Sequence, residues 1–111
     1  MQKSDTSHKT LRRRAGDWAR RLDVRPRAVR IRPMTRKWGS CSTLGIVTLA
    51  ADLADQQPGF QDFVIAHELL HLRVPNHGRL FKALMSAHVP AWKTYEMERR
   101  GCRYNAQNRM T

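Results

Sequence analysis

The chain has 111 residues, of which 41% are hydrophobic, and its formal net charge is +12. This length is enough for one domain with a modest core and excludes two independent cores. No apolar run approaches the roughly 18 residues of a membrane span, and the N-terminus lacks the apolar centre of a secretory signal, so we expect a cytoplasmic protein with no membrane contact. The two cysteines, Cys41 and Cys102, exclude a disulfide framework and a zinc ribbon, because neither lies in a C-x-x-C pair.

The positive charge is unevenly distributed along the chain. Residues 1–37 hold thirteen Lys or Arg and three Asp, residues 38–72 hold four acidic residues and no Lys or Arg, and residues 73–111 hold eight Lys or Arg and two Glu. A basic surface of this size favours nucleic acid or another polyanion as a partner, through long-range attraction. The other interpretation is a solvated surface with no dedicated partner, because Trp18 is the only aromatic ring in residues 1–37 that could stack on a base.

The first half of the chain predicts a helix followed by strands. We expect residues 1–9 to be flexible and residues 10–22 to form a helix whose apolar side chains fall on one stripe, namely Leu11, Ala15, Trp18, Ala19 and Leu22. Residues 28–34 alternate apolar side chains with arginines, which is typical of a half-buried strand. Residues 36–42 and 46–50 predict a β-hairpin with Gly45 at its turn.

The second half predicts three helices. The first begins near residues 58–62, with a proline in its first turn, and ends at residues 73–74, just before Pro75. Asn76 is a suitable N-cap for a second helix over residues 77–89. A third helix is expected over residues 91–100 with Gly101 as its stop, followed by a flexible end at residues 103–111.

The first of these helices carries His67-Glu68-Leu69-Leu70-His71, the H-E-x-x-H pattern of zinc hydrolases. Residues four apart lie on one face of a helix, so both imidazoles can face one metal ion and Glu68 can reach its water. The flanking residues are apolar almost all round, which indicates a buried helix. Buried histidines and a glutamate are costly to desolvate without a partner, which favours a metal over histidines satisfied within the core.

A tetrahedral catalytic zinc needs a third protein ligand. His77 stands six residues after His71, the spacing at which a tight turn can bring a third imidazole round to the metal. Glu96 is the alternative third ligand, and we favour His77 because the neighbours of Glu96 indicate an exposed helical residue. His88 could be a ligand in a rearranged site, but a histidine near a helix C-terminus is commonly explained by its favourable interaction with the helix dipole.

Cys41 is a further candidate ligand, as a thiolate. Its position in a predicted strand favours a packed thiol instead.

Four segments form a larger pattern: KWGSCS at residues 37–42, IVTL at 46–49, VIAHELLHL at 64–72 and PNHGRLF at 75–81. In combination they resemble the YgjP-like zinc metallopeptidases, relatives of the SprT-like proteases, over roughly residues 31–100. The resemblance implies a small α+β zincin core in a single domain, residues 1–111. It implies a short antiparallel sheet of about three strands packed on the metal helix, with two or three further helices. It also implies one Zn²⁺ ion held by His67, His71 and His77.

The chain departs from this family pattern in two ways. Full-length members carry a further N-terminal region that is largely absent here, which predicts a minimal or shortened member. The second hairpin strand runs Leu49-Ala50 where the family usually has Leu-Asn. The SprT-like relatives act on proteins bound to DNA, and their zinc ribbon is not found in this sequence.

We therefore predict a monomeric zinc peptidase that acts on a peptide or protein. Zinc acidifies a water and polarises the carbonyl, and Glu68 is the general base that later carries the proton to the leaving amine. Three side chains lie within chain distance as oxyanion donors: His88, Tyr95 and Arg73. We expect residues 46–49 to be the edge strand that pairs with substrate.

Two alternatives stay open at this point. One is a metal-dependent hydrolase of nucleotide phosphoanhydrides, which a basic surface would suit. The other is a basic nucleic-acid-binding module with a structural zinc.

Overall fold

The computed structural model describes residues 3–107, and their side chains from residue 7 to residue 99. Over this part the chain forms an α+β fold, as predicted, with one three-stranded sheet and four α-helices. The elements in order are α1 (Lys3–Leu22), β1 (Ala28–Arg32), β2 (Gly39–Cys41), β3 (Ile46–Ala50), a 3-10 helix (Ala51–Asp55), α2 (Pro58–Leu70), α3 (Arg79–His88) and α4 (Trp92–Gln107). Within residues 3–107, no helix combines the length and apolar character needed to cross a bilayer.

The predicted β-hairpin is present as β2 and β3. Gly45 lies at its turn with a φ of 86°, a left-handed conformation that glycine adopts without steric cost. The Ser42 hydroxyl accepts hydrogen bonds from the backbone N–H groups of Leu44 and Ile46, both at 3.2 Å, and so holds the turn closed. Turn chemistry visible in the sequence therefore determines this register.

The order of the strands in the sheet is β1-β3-β2. The sheet is mixed, and not wholly antiparallel as predicted, because β1 pairs with β3 in parallel. Strand β2 runs antiparallel to β1 but is not its neighbour. The chain then turns back, and β3 lies between β1 and β2. As β3 is the central strand, the prediction that residues 46–49 form an edge is wrong, and the edges are β1 and β2.

Helix α1 begins at Lys3, seven residues before the predicted start, so residues 3–9 are helical where flexibility was expected; residues 1–2 lie outside the described part. Its predicted apolar stripe is confirmed, with exposed fractions of 5% or less at Leu11, Ala15, Trp18 and Leu22. The helix is joined to α2 by Asp62, whose Oδ1 accepts from Trp18 Nε1 at 2.9 Å and from Arg14 Nη1 at 2.8 Å. These contacts fix the orientation of α2, the helix that carries His67 and Glu68, relative to α1.

Helix α2 is the core of the molecule. Every side chain from Phe63 to Leu70 is buried, which confirms the prediction of a helix enclosed on all sides. The helix ends at Leu70, earlier than predicted, because the backbone hydrogen bonds change there to the tighter pattern of a 3-10 turn. The N–H groups of Leu72 and Arg73 bond to carbonyls three residues back, at 3.0 and 2.9 Å.

The last two helices differ from the prediction at their ends. Helix α3 begins at Arg79 with Gly78 as its N-cap, so Asn76 is not the cap and His77 lies in the preceding loop. Helix α4 continues to Gln107 through Gly101, the predicted stop, because an interior glycine costs a helix only about 1 kcal/mol. Of the end expected to be flexible, residues 103–107 are therefore helical and 108–111 lie outside the described residues.

Candidate metal centre

The C-terminal half of α2 presents two histidines on one face. His67 and His71 are one helical turn apart, and their ring centroids are separated by 5.0 Å. His67 is 7% exposed, whereas His71 is half-buried because it lies at the C-cap, where the helix meets solvent. The pair therefore joins the core to the surface.

The loop between α2 and α3 brings His77 to this pair. Its Nε2 atom lies 3.2 Å from Nε2 of His67 and 2.9 Å from Nε2 of His71. Two nitrogens bound to a tetrahedral zinc at about 2.0–2.1 Å are about 3.3 Å apart, close to both values. Within the described residues these three histidines are the group able to hold a metal ion, with all ligand atoms within 4.8 Å of one another.

The surroundings of His67 and His71 suit metal ligation. Burial, and then the neighbouring His71 and His77, lower the pKa of His67 to about 3; burial also lowers the pKa of His71. Neutral imidazole is the form that binds a metal. The Val74 carbonyl lies 3.2 Å from His71 Nδ1 and can accept a hydrogen bond from a proton on that nitrogen, which leaves Nε2 directed at the cluster with a free lone pair.

Phe81 forms an apolar wall beside the histidines. It is 3% exposed, and its ring centroid lies 5.2, 4.9 and 4.9 Å from those of His67, His71 and His77. It stacks on His71 at an interplanar angle of 27°. Phe81 belongs to the PNHGRLF segment of the family resemblance, but the sequence does not predict this contact, since nothing in the spacing of Phe81 shows that α3 folds back over the cluster.

Glu68 lies beside the cluster and is 3% exposed. Burial raises the pKa of its carboxyl to about 7, and the charges of Arg99 and Lys37 offset part of that rise. A Cβ atom placed on Gly39 would lie 2.9 Å from Glu68 Cγ and 3.2 Å from the Thr48 carbonyl oxygen. Strand β2 therefore packs directly against the glutamate, and only a glycine leaves room for it there.

The site opens into a cleft of about 760 Å³. One wall is β2 and the hairpin turn that follows it, and the other includes Glu68, His71 and His77. Cys41 lies in the first wall as a free thiol. Burial, and then the charge of Glu68, raise the pKa of Cys41, so its thiol stays protonated, and its sulfur is not part of the histidine cluster.

The structure places the other candidates away from the cleft. Glu96, the alternative ligand, forms an ion pair with Arg99 on α4 and is not in the histidine cluster. Arg73 donates from Nη1 to the Leu22 carbonyl at 3.0 Å. Tyr95 packs in an aromatic cluster, with its ring centroid 6.0 Å from that of Phe63, and His88 closes α3. Neither Arg73, Tyr95 nor His88 lines the cleft.

Comparison with known structures identifies similar folds in two archaeal proteins, both described as metallopeptidase zymogens. Abylysin of Pyrococcus abyssi matches with a TM-score of 0.75 and 20% identity, covering 91% of this chain and 99% of that one. Jannalysin of Methanocaldococcus jannaschii matches with a TM-score of 0.71 and 19% identity, covering 79% of this chain and 91% of that one. At such identities the likeness shows a shared fold, and it confirms the zincin-like architecture.

Comparison at the sequence level identifies the family. No curated protein matches the chain. The model of the YgjP-like metallopeptidase domain matches residues 3–98, a range that contains all the elements of the candidate site. This chain therefore belongs to the YgjP-like family of metallopeptidases.

Proposed function

We propose that this protein is a zinc-dependent peptidase with one zinc ion held by His67, His71 and His77. The convergence of three Nε2 atoms next to a buried glutamate carries the proposal. Three imidazole ligands suit zinc and leave one coordination position for water or substrate. Membership of a metallopeptidase family supports a peptide bond as the target in preference to a nucleotide phosphoanhydride.

When bound, zinc would supply an acidified water and polarise the substrate carbonyl. Glu68 takes the proton from the attacking water and passes it to the leaving amine. A carboxyl whose pKa is about 7 can both accept and release a proton near neutral pH, which this double role requires. Phe81 excludes water from the buried side of the histidines, so the open approach is from the cleft.

Strand β2 is the edge that would hold the substrate. The bonds from Ser42 N–H to the Ile46 carbonyl (2.9 Å) and from Ala50 N–H to the Trp38 carbonyl (2.8 Å) place the even-numbered residues of β2 in the ladder with β3. Because such bonding alternates along an antiparallel pair, the backbone groups of Gly39 and Cys41 face away from β3. An extended peptide could pair with them beside Glu68, in place of the predicted pairing with residues 46–49.

The test combines zinc content with turnover. Glu68→Gln should keep one zinc per chain and lose peptidase activity by about 10²–10⁴-fold, because the general base is removed and the ligands are not. His77→Ala should lose zinc, whereas His88→Ala, which changes a histidine outside the cluster, should retain both zinc and activity. A Glu68→Gln variant as active as the parent, or a His77→Ala variant with a full zinc complement, would refute the assignment.

A further inference from the structure

The cleft has a positive end. Among the cleft-lining residues that the structure describes, Lys37 is the only lysine or arginine. The opposite end is formed by the hairpin turn and Leu72, where the lining residues are uncharged. A substrate lying along β2 would therefore meet a cation at one end only.

The backbone at Lys37 is held in place by its neighbour. Trp38 is 2% exposed and packs edge-on against Phe60, with ring centroids 5.2 Å apart. Its carbonyl accepts the Ala50 N–H at 2.8 Å, which ties this end of β2 to the sheet. The backbone next to Lys37 is thus fixed against the sheet, which places the base of its side chain beside the cleft.

The ammonium group of Lys37 is available to a ligand. Its side chain is half-buried, and it forms none of the salt bridges seen among the described side chains. Arg99, the other cation near Glu68, is already paired with Glu96. Lys37 is near enough to Glu68 for its charge to act on that carboxyl, although the two are not in contact as an ion pair.

The position of Lys37 indicates which part of a substrate it would meet. Glu68 packs against Gly39, so the bond to be cleaved lies at the level of Gly39. Lys37 precedes β2 by two residues, and two residues of chain span at most about 7 Å. It therefore lies just outside the part of β2 that borders Glu68, and a substrate extended along β2 would bring a residue next to the cleaved bond towards it.

We propose that Lys37 is a specificity-determining residue that binds a carboxylate of the peptide within one or two residues of the cleaved bond. This inference rests on the proposed peptidase function. The carboxylate is that of an acidic side chain or that of the peptide C-terminus, and both have the same chemistry.

Peptides that differ in one group test the proposal. The probes are fluorogenic alanine-rich peptides with blocked ends and one Glu, Gln or Lys moved through successive positions, and a matching set with a free C-terminal carboxylate. We expect kcat/KM to be about tenfold higher for Glu than for Gln at one position, or for the free over the blocked terminus, because a partly desolvated charge pair forms.

Variants assign the preference to this residue. Lys37→Met, which keeps the apolar stem, should bring the ratio of kcat/KM for Glu and Gln peptides to about one, and Lys37→Glu should shift the preference towards Lys peptides; because each ratio is taken within one variant, any effect of the lost charge on Glu68 cancels. Arg36→Met is the matched control: it changes the net charge equally at an exposed neighbour that does not line the cleft, so it should retain the preference. A preference that persists in Lys37→Met overturns the proposal.

A binding measurement separates this inference from the proposed function. The affinity of zinc-free protein for the Glu and Gln peptides, measured by titration calorimetry, requires no turnover, and Lys37→Met should abolish the difference between them. Hydrolysis without any charge preference would overturn the role of Lys37 alone. Absence of hydrolysis would refute the proposed peptidase function. Equal affinity for the Glu and Gln peptides would, independently of hydrolysis, overturn the carboxylate-binding role of Lys37.

Discussion

The two edges of the sheet differ in how they are protected against pairing with another strand. Strand β1 has five residues, two of them exposed arginines, Arg30 and Arg32, and the Val29 carbonyl accepts a hydrogen bond from Arg12 Nη1 at 2.6 Å. Strand β2 has three residues with small side chains, and it borders the cleft against Glu68. Charged side chains are a common protection of an edge against unwanted pairing, whereas β2 remains open to an extended chain.

This difference shows that the two edges of one small sheet have different roles: exposed charges lie at the β1 edge, and the buried carboxyl lies at the β2 edge. The β1 edge carries solvated cations that do not interact with the site. At the β2 edge a carboxyl is buried, and Lys37, two residues before the strand, lines the cleft. Changes at the β2 edge should therefore alter chemistry and stability, and changes at the β1 edge should alter only long-range attraction.

The largest expected effect concerns the buried carboxyl. Because burial raises the pKa of Glu68 from 4.5 to about 7, the folded protein binds this proton more tightly than the unfolded chain does. That stabilisation is present below about pH 4.5 and is lost as the pH rises towards 7. Glu68→Gln should therefore increase the free energy of unfolding of zinc-free protein by about 3 kcal/mol at about pH 8 and leave it unchanged near pH 4.

Denaturant unfolding with a chelator present measures this difference. Arg30→Gln on the β1 edge is the control, and it should change the free energy of unfolding by less than about 0.5 kcal/mol at either pH, because the side chain is exposed. A Glu68→Gln effect of equal size at both pH values would contradict the prediction.

The next effect concerns the close approach of β2 to Glu68. Gly39→Ala would place a methyl group 2.9 Å from Glu68 Cγ, so the carboxyl must move. Displacement of a catalytic group by about 1 Å can cost about 100-fold in turnover, so we expect a loss of that order in kcat with zinc content unchanged.

Gly16→Ala on α1 is the matched control for this change. The nearest atom to its new methyl group is Arg20 Nη1 at 3.9 Å, and alanine favours a helix, so activity should be retained. Full activity in Gly39→Ala would show that the contact between β2 and Glu68 does not position the carboxyl.

The smallest effect concerns the β1 edge and the predicted polyanion partner. Arg30→Glu combined with Arg32→Glu should weaken binding of a DNA oligonucleotide by about tenfold at low salt and flatten its salt dependence, with peptidase activity unchanged. Lys82→Glu combined with Lys93→Glu makes the same charge change on exposed residues of α3 and α4 and is the control. If fluorescence anisotropy detects no DNA binding at low salt, nucleic acid is not a partner.

Local signals accounted for much of the architecture. The H-E-x-x-H spacing, the apolar surroundings of α2, the stripe of α1 and the glycine turn of the hairpin each depend on residues within a few positions of one another. Helical periodicity and turn chemistry act over such distances, so the sequence alone was sufficient to predict these features. The limits of the helices were less accurate, since packing decides whether a last turn or an interior glycine remains helical.

The sequence by itself therefore determined that His67 and His71 share one face of a buried helix with Glu68 next to them, because helix geometry dictates it. Only the tertiary structure decided that β3 lies between β1 and β2, that Gly39 packs against Glu68 and that Phe81 covers the histidines. It also placed Lys37 in the cleft and kept Arg73, Tyr95 and His88 out of it. These relations join residues distant in the chain, and the packing that creates them leaves no periodic trace in the sequence.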